Sequence, residues 1–194
     1  MSKRRRQKKY LRKIKNGWTG LRIVSEGDSW FQYPFLLRDV IDQLSEDFAI
    51  YSLGAAGDLV QDMLDQDEIL QAVRQQKPHV FLISGGGNDL LGDGMLKTAL
   101  HPFKAGKPAK DYPNATFSKR LNSIIGVYRS IFTTLLTEFP NLKILCHGYD
   151  YALPANGRWL GKPMAGLGIK DKTLQAQIVA ELIDRFNTAL VGLA

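Results

Sequence analysis

Four short apolar runs are spaced along the chain, each closed by glycine or a polar turn and separated from the next by stretches of helical period. Residues 21–24, 48–53, 80–83 and 142–146 are rich in Ile, Val, Leu and Phe and read as strands. The third, Val80-Phe81-Leu82-Ile83, is apolar at every position, as expected of a strand covered on both faces. Between and after them, residues 34–46, 59–76, 117–139 and 172–193 carry apolar positions at three- and four-residue spacing and predict helices. Residues 90–115 hold no sustained period and predict a long excursion, and residues 147–170 a glycine- and proline-punctuated loop. The order β-α-β-α-β-(excursion)-α-β-(loop)-α predicts an α/β fold with a parallel sheet, right-handed crossovers and helices on both faces. The series ends on a helix, so one further β unit is expected to be missing.

Charge changes the picture at one end only. The 194 residues carry a net charge of +7, yet residues 1–15 hold nine Lys and Arg and no acid, which leaves −2 for the rest. The basic character therefore belongs to an arm, residues 1–19, and the folded body begins near residue 20. Such an arm can touch nucleic acid or anionic lipid through screened attraction. The favoured expectation is a solvated, disordered leader, because Tyr10, Leu11 and Ile14 make too thin an apolar stripe to fold alone. Deleting it should then cost little stability. A single cysteine, Cys146, excludes an internal disulfide. No apolar run approaches the length of a membrane span and no secretory signal is recognised, which places the expected location in the cytoplasm. His and Cys show no ligand spacing, so no metal or organic cofactor is expected.

Chemistry concentrates where the strands end. In a parallel sheet every turn that follows a strand lies at the same edge, the edge at which ligands bind in open α/β folds. Three turns there draw attention: Gly27-Asp28-Ser29, Gly54-Ala55-Ala56-Gly57 and Gly86-Gly87-Asn88-Asp89. Acyl transfer needs a nucleophile and two or three donors aimed at the developing oxyanion. Ser29 offers a hydroxyl and its own N–H, Gly54 an N–H without a side chain to shield it, and Asn88 an amide. Asp28, Trp30, Gly87, His147 and Tyr149 are expected to line the substrate. Each turn also has a plain reading: Asp and Ser at a turn commonly bond their own backbone, and glycine commonly ends a strand.

Taken together the three turns resemble the blocks of the SGNH or GDSL hydrolases, serine esterases, lipases and deacetylases on a flavodoxin-like sheet of strand order 2-1-3-4-5. Gly27-Asp28-Ser29 matches the first block, Gly54 the glycine of the second and Gly86-Gly87-Asn88-Asp89 the third, over about residues 21–190. The resemblance implies a three-layer sandwich, Ser29 as nucleophile, Gly54 and Asn88 as oxyanion donors and a small carboxylic ester as substrate. It also implies a late Asp-x-x-His supplying the general base, and none follows the last helix here. His101 is preceded at three residues by Thr98, His79 opens the third strand at the far edge, and His147 follows the fourth strand at the correct edge. By strand spacing, roughly 10 Å separates His147's strand from that of Ser29. A weak or inactive esterase is the resulting expectation for these 194 residues. The alternative is a ligand-binding member of the same fold without catalysis.

Overall fold

The central strand carries the arrangement. In the computed structural model, which describes residues 1–33, 37–65, 67–92 and 94–194, β1 (Arg22–Gly27) pairs in parallel with β2 (Ala49–Ser52) on one side and β3 (Val80–Ser84) on the other. β4 (Lys143–Cys146) joins β3, also in parallel, giving the order β2-β1-β3-β4. This is the predicted order. β1 runs further than its apolar stretch, through Ser25 and Glu26 to Gly27, because β3 supplies partners for those residues: Glu26 lies opposite Ile83 and Gly27 opposite Ser84.

The chain packs as two compact units: Met1–Gly85 with Val127–His147, and Gly86–Gly126 with Gly148–Ala194. The sequence shows no such boundary, since hydrophobic period marks elements and not the contacts they make.

The first unit holds the whole sheet. Side chains alternate across it, so Ile23, Ile50 and Val80 share one face and pack with Phe31 and Ile41. Ile41 belongs to α2 (Val40–Leu44). The opposite face is covered by α3 (Val60–Asp65) and α4 (Glu68–Gln76), and Val60 and Met63 stand 3.0 and 3.1 Å from where a Cβ on Gly85 would lie. The helix α7 (Ala115–Glu138) begins in the second unit and ends in the first. There Tyr128 donates to the Gly85 carbonyl at 3.0 Å, and Glu138 receives Arg74 in two bonds of 2.7 and 2.6 Å.

Two helices are shorter than their periods. The expected helix over 34–46 is only α2, with residues 34–36 outside the described residues. Asp39 is extended at ψ 179° and its carboxylate accepts the Asp42 N–H, so it caps the helix and starts it late. The expected helix over 59–76 is broken into α3 and α4 at Asp67, whose φ of 51° no helix continues through. Residue 66 lies outside the described residues.

The basic arm is a correction. Residues 3–15 are not a disordered leader but a helix, α1 (Lys3–Lys15), laid along the outer edge of β2. Gln7 donates to the Ser52 carbonyl at 3.0 Å, Lys13 to the Phe48 carbonyl at 3.0 Å, and Tyr10 meets Tyr51 edge-on at 5.5 Å. The missing stabilisation comes from charge. Arg6, 2% exposed, reaches Asp39 and Asp42 and donates to the Phe31 carbonyl, and the Met1 ammonium pairs with Asp42 at 2.8 Å. A helix in this position also covers a strand edge that would otherwise expose unpaired backbone.

In the second unit, the long excursion contains α5 (Gly87–Leu91), α6 (Leu96–Ala99) and a single 3-10 turn at Ala109–Asp111. Residue 93 lies outside the described residues. The loop after β4 holds α8 (Gly161–Gly166), which lacks a sequence period because it is only one and a half turns long. The last helix, α9 (Lys172–Val191), is capped by Asp171 accepting from the Leu174 N–H at 2.7 Å.

Candidate active site

β1 ends at Gly27, and the chain must turn at once because Phe31 folds back beneath it. A Cβ on Gly27 would lie 2.8 Å from the Phe31 ring and from the Ser84 carbonyl. Asp28 shapes the turn. Its N–H donates to Ser84 at 3.2 Å, its carbonyl accepts from Phe31 and Gln32, and its carboxylate accepts the Trp30 N–H at 3.0 Å. The backbone role expected of an Asp at a turn is therefore real, and Asp28 is buried. Ser29 is carried half-exposed at the crest of this turn, and Trp30 beside it is exposed. Among the described residues the Ser29 hydroxyl makes no hydrogen bond.

The turn is held from below by α1. Arg6 donates to the Phe31 carbonyl and to Gln32 Oε1 at 3.2 Å, while Asp39 accepts both Arg6 and the Tyr33 N–H. Burial works against the Asp42 carboxylate, but the Met1 ammonium and Arg6 outweigh it and hold its pKa below the usual range. Sequence reading missed Arg6, since in a run of cations no spacing marks the buried one. Asp39 could have been noticed as a cap three residues before Asp42.

Gly54 follows β2 and closes on β1. A Cβ there would sit 2.5 Å from the Gly27 carbonyl oxygen, so glycine is required by this approach whatever else it does. The N–H groups of Leu53 and Ala55 are used on the Ser25 and Gly27 carbonyls. That of Gly54 stays outside this ladder.

Glu26, on the strand before the turn, is buried at 4% exposure and was not singled out from the sequence. Burial pushes its pKa up to about 8, although the Gly27 N–H donates to it at 2.8 Å, so it is mostly protonated at neutral pH. His147 lies in the first unit with its ring 5.2 Å from that of Phe31. Phe31 is two residues beyond Ser29, so His147 contacts the segment that bears the serine. His79 accepts the Arg22 N–H at 3.0 Å at the amino end of the sheet. His101 is exposed in the second unit.

The second unit carries the remaining candidates. Gly86, at φ 102°, turns the chain from β3 into α5, on which Asn88 is half-exposed. Gly87 and Tyr149 are brought together: the Gly87 N–H donates to the Tyr149 hydroxyl at 3.2 Å. Tyr149 is fixed by α9, where Asn187 both accepts its N–H at 3.0 Å and donates to its carbonyl at 2.9 Å, and Phe186 packs at 5.5 Å. Asn187 and Phe186 were also missed, because on a helical period they read as ordinary face residues. Among the described residues no cluster of three His, Cys, Asp or Glu is placed to hold a metal ion, and no helix is long and apolar enough to cross a membrane.

No protein-family model matches the chain, and no curated protein does. Solved structures do. A GDSL-like lipase from Bacteroides thetaiotaomicron superposes with a TM-score of 0.50 at 15% identity, over 94% of this chain and 73% of that one. A protein from Streptococcus pneumoniae, provisionally described as a platelet activating factor, gives 0.51 at 17% identity, over 99% and 69%. An acetyl xylan esterase, AlAXEase, gives 0.46 at 15% identity, over 86% and 74%.

Proposed function

We propose that this chain, whose fold is that of the SGNH hydrolases, hydrolyses a carboxylic ester through an acyl-enzyme on Ser29. The observation that carries the reading is the Asp28-braced turn, which presents a half-exposed serine at the carboxyl end of the sheet's inner strand. Ser29 Oγ attacks the ester carbonyl, the alcohol leaves, and water then releases the acid. The Ser29 and Gly54 N–H groups and the Asn88 amide are assigned to the oxyanion, which such donors stabilise in acyl transfer. Gly87 and Tyr149, already joined by a hydrogen bond, are assigned to substrate lining together with Trp30, and Asp28 to bracing the turn.

The 194 residues contain no late Asp-x-x-His. Without a base a serine hydroxyl is a poor nucleophile near neutral pH, and base assistance is worth about 10²–10⁴ in rate. Slow turnover is expected of them. His147, its ring tilted against that of Phe31, is the histidine to test as a substitute base. The experiment is labelling by a fluorophosphonate and hydrolysis of a short aryl ester by the wild type, Ser29→Ala and His147→Ala. Ser29-dependent labelling with slow, Ser29-dependent turnover is the expected result. Labelling unchanged in Ser29→Ala would remove the reading.

A further inference from the structure

The folding of the arm into α1 sorts its nine cations. Four are used inward: Arg6 on Asp39 and Asp42, Lys3 on Glu68, Lys9 on the Ser45 hydroxyl, and Lys13 on the carbonyls of Ser45, Glu46 and Phe48. The other five, Arg4, Arg5, Lys8, Arg12 and Lys15, are exposed, and among the described residues none forms an ion pair. No acidic residue precedes Glu26 to neutralise them along the chain. On a helix, Arg4, Lys8 and Lys15 fall on one stripe with Arg5 and Arg12 beside it. The inward bonds keep α1 from turning, so the cationic stripe is a fixed surface about 16 Å long. Met1, Arg5, Lys8, Lys9 and Arg12 line a shallow recess of about 400 Å³ on it.

Apolar side chains are exposed on α1 and near the segment bound to it. Leu11 is 52% exposed within the cationic stripe, and the amino end of α1 is tied to residues 31–33 by Arg6 on Phe31 and by Gln32 donating to the Met1 carbonyl at 2.8 Å. Close to that segment in sequence Trp30, Tyr33 and Leu37 are exposed, Leu37 at 64%. Phosphate-rich polymers and anionic bilayers both answer the charge. Aliphatic Leu11 and Leu37 gain little from a phosphate backbone, whereas at a bilayer they enter the boundary between head groups and acyl chains, with Trp and Tyr at the head-group level. We infer that the outward face of α1, with Leu11, Trp30, Tyr33 and Leu37, is a docking surface for an anionic lipid bilayer. Trp30 is shared with the substrate lining proposed above; the variants tested below leave it unchanged, so their outcome does not depend on ester hydrolysis.

The test is co-sedimentation of the full chain with phosphatidylcholine vesicles, with and without about a third phosphatidylglycerol, at low and high salt. Each cation near such a surface is worth roughly fivefold in partitioning. The wild type should therefore bind anionic vesicles at least about 10²-fold more tightly than neutral ones, and lose this as salt rises. A variant with Arg4, Arg5, Lys8 and Arg12 each changed to Gln should lose most of the preference while melting as the wild type does, since none of the four holds α1 in place. Leu11→Ser with Leu37→Ser should weaken anionic binding several-fold and keep its salt dependence. Equal binding to neutral vesicles, or full retention in the Gln variant, would overturn the inference. So would complete displacement from the vesicles by a DNA duplex at matched charge concentration, since that would make the surface a nucleic-acid site.

Discussion

Changing Arg6 to Ala should destabilise the first unit more than any other single loss of charge in α1. The guanidinium is 2% exposed and meets two acids that are themselves buried, Asp39 at 8% and Asp42 at 6%. It lies 3.0 Å from Asp42 and binds Asp39, and it donates in addition to the Phe31 carbonyl and to Gln32. Removing one member of a buried ion group leaves the others uncompensated, which costs about 3–5 kcal/mol. Asp42 keeps the Met1 ammonium at 2.8 Å and Asp39 keeps the Asp42 and Tyr33 N–H groups, so the lower half of that range is expected. For a chain of this size that is a fall in melting temperature of roughly 6–16 °C. The assay is thermal and urea unfolding of the wild type, Arg6→Ala and, as an exposed control, Arg5→Ala, which should stay within about 0.5 kcal/mol of the wild type. Arg6→Met combined with Asp39→Asn and Asp42→Asn should recover part of the loss, because the uncompensated charge is gone. If Arg6→Ala melted within about 2 °C of the wild type and matched Arg5→Ala, α1 would not be a structural part of the unit, and the arm would be the dispensable leader its composition suggests.

Glu26 predicts a pH dependence. Its unfolded carboxyl ionises near 4.5 and its folded one near 8, so above pH 4.5 the unfolded chain binds fewer protons, and stability falls as pH rises towards 8, by up to about 1.4 kcal/mol per unit. Glu26→Gln, which keeps an acceptor for the Gly27 N–H, should gain on the wild type between pH 5 and 8 and keep a constant lead above that. Parallel unfolding profiles would contradict the burial argument. At Gly54, the 2.5 Å approach to the Gly27 carbonyl leaves backbone with nowhere to yield, so Gly54→Ala should lose about 1–3 kcal/mol in urea unfolding. A variant as stable as the wild type would show that β1 and β2 can part there without cost.

Local sequence was enough for what depends on local chemistry. The apolar runs marked all four strands, and their alternation with helical periods led to a parallel sheet, because parallel neighbours require crossovers. The turns at Gly27, Gly54 and Gly86 were legible for the same reason: ends of strands need residues that can turn, and parallel strands put those ends at one edge. The positions of capping and breaking residues were less legible. Asp39 and Asp67 fall inside apolar periods that favour a longer helix, and only the observed ψ and φ show where each helix starts. What the sequence could not express was pairing between residues far apart. Arg6 is one cation among nine until Asp39 and Asp42 come within reach of it, and that charge pairing turns a composition typical of a disordered leader into a helix on a strand edge. Tyr149 likewise acquires its place from Asn187, thirty-eight residues on, because a backbone clamp depends on which helix face arrives beside it and not on any local period.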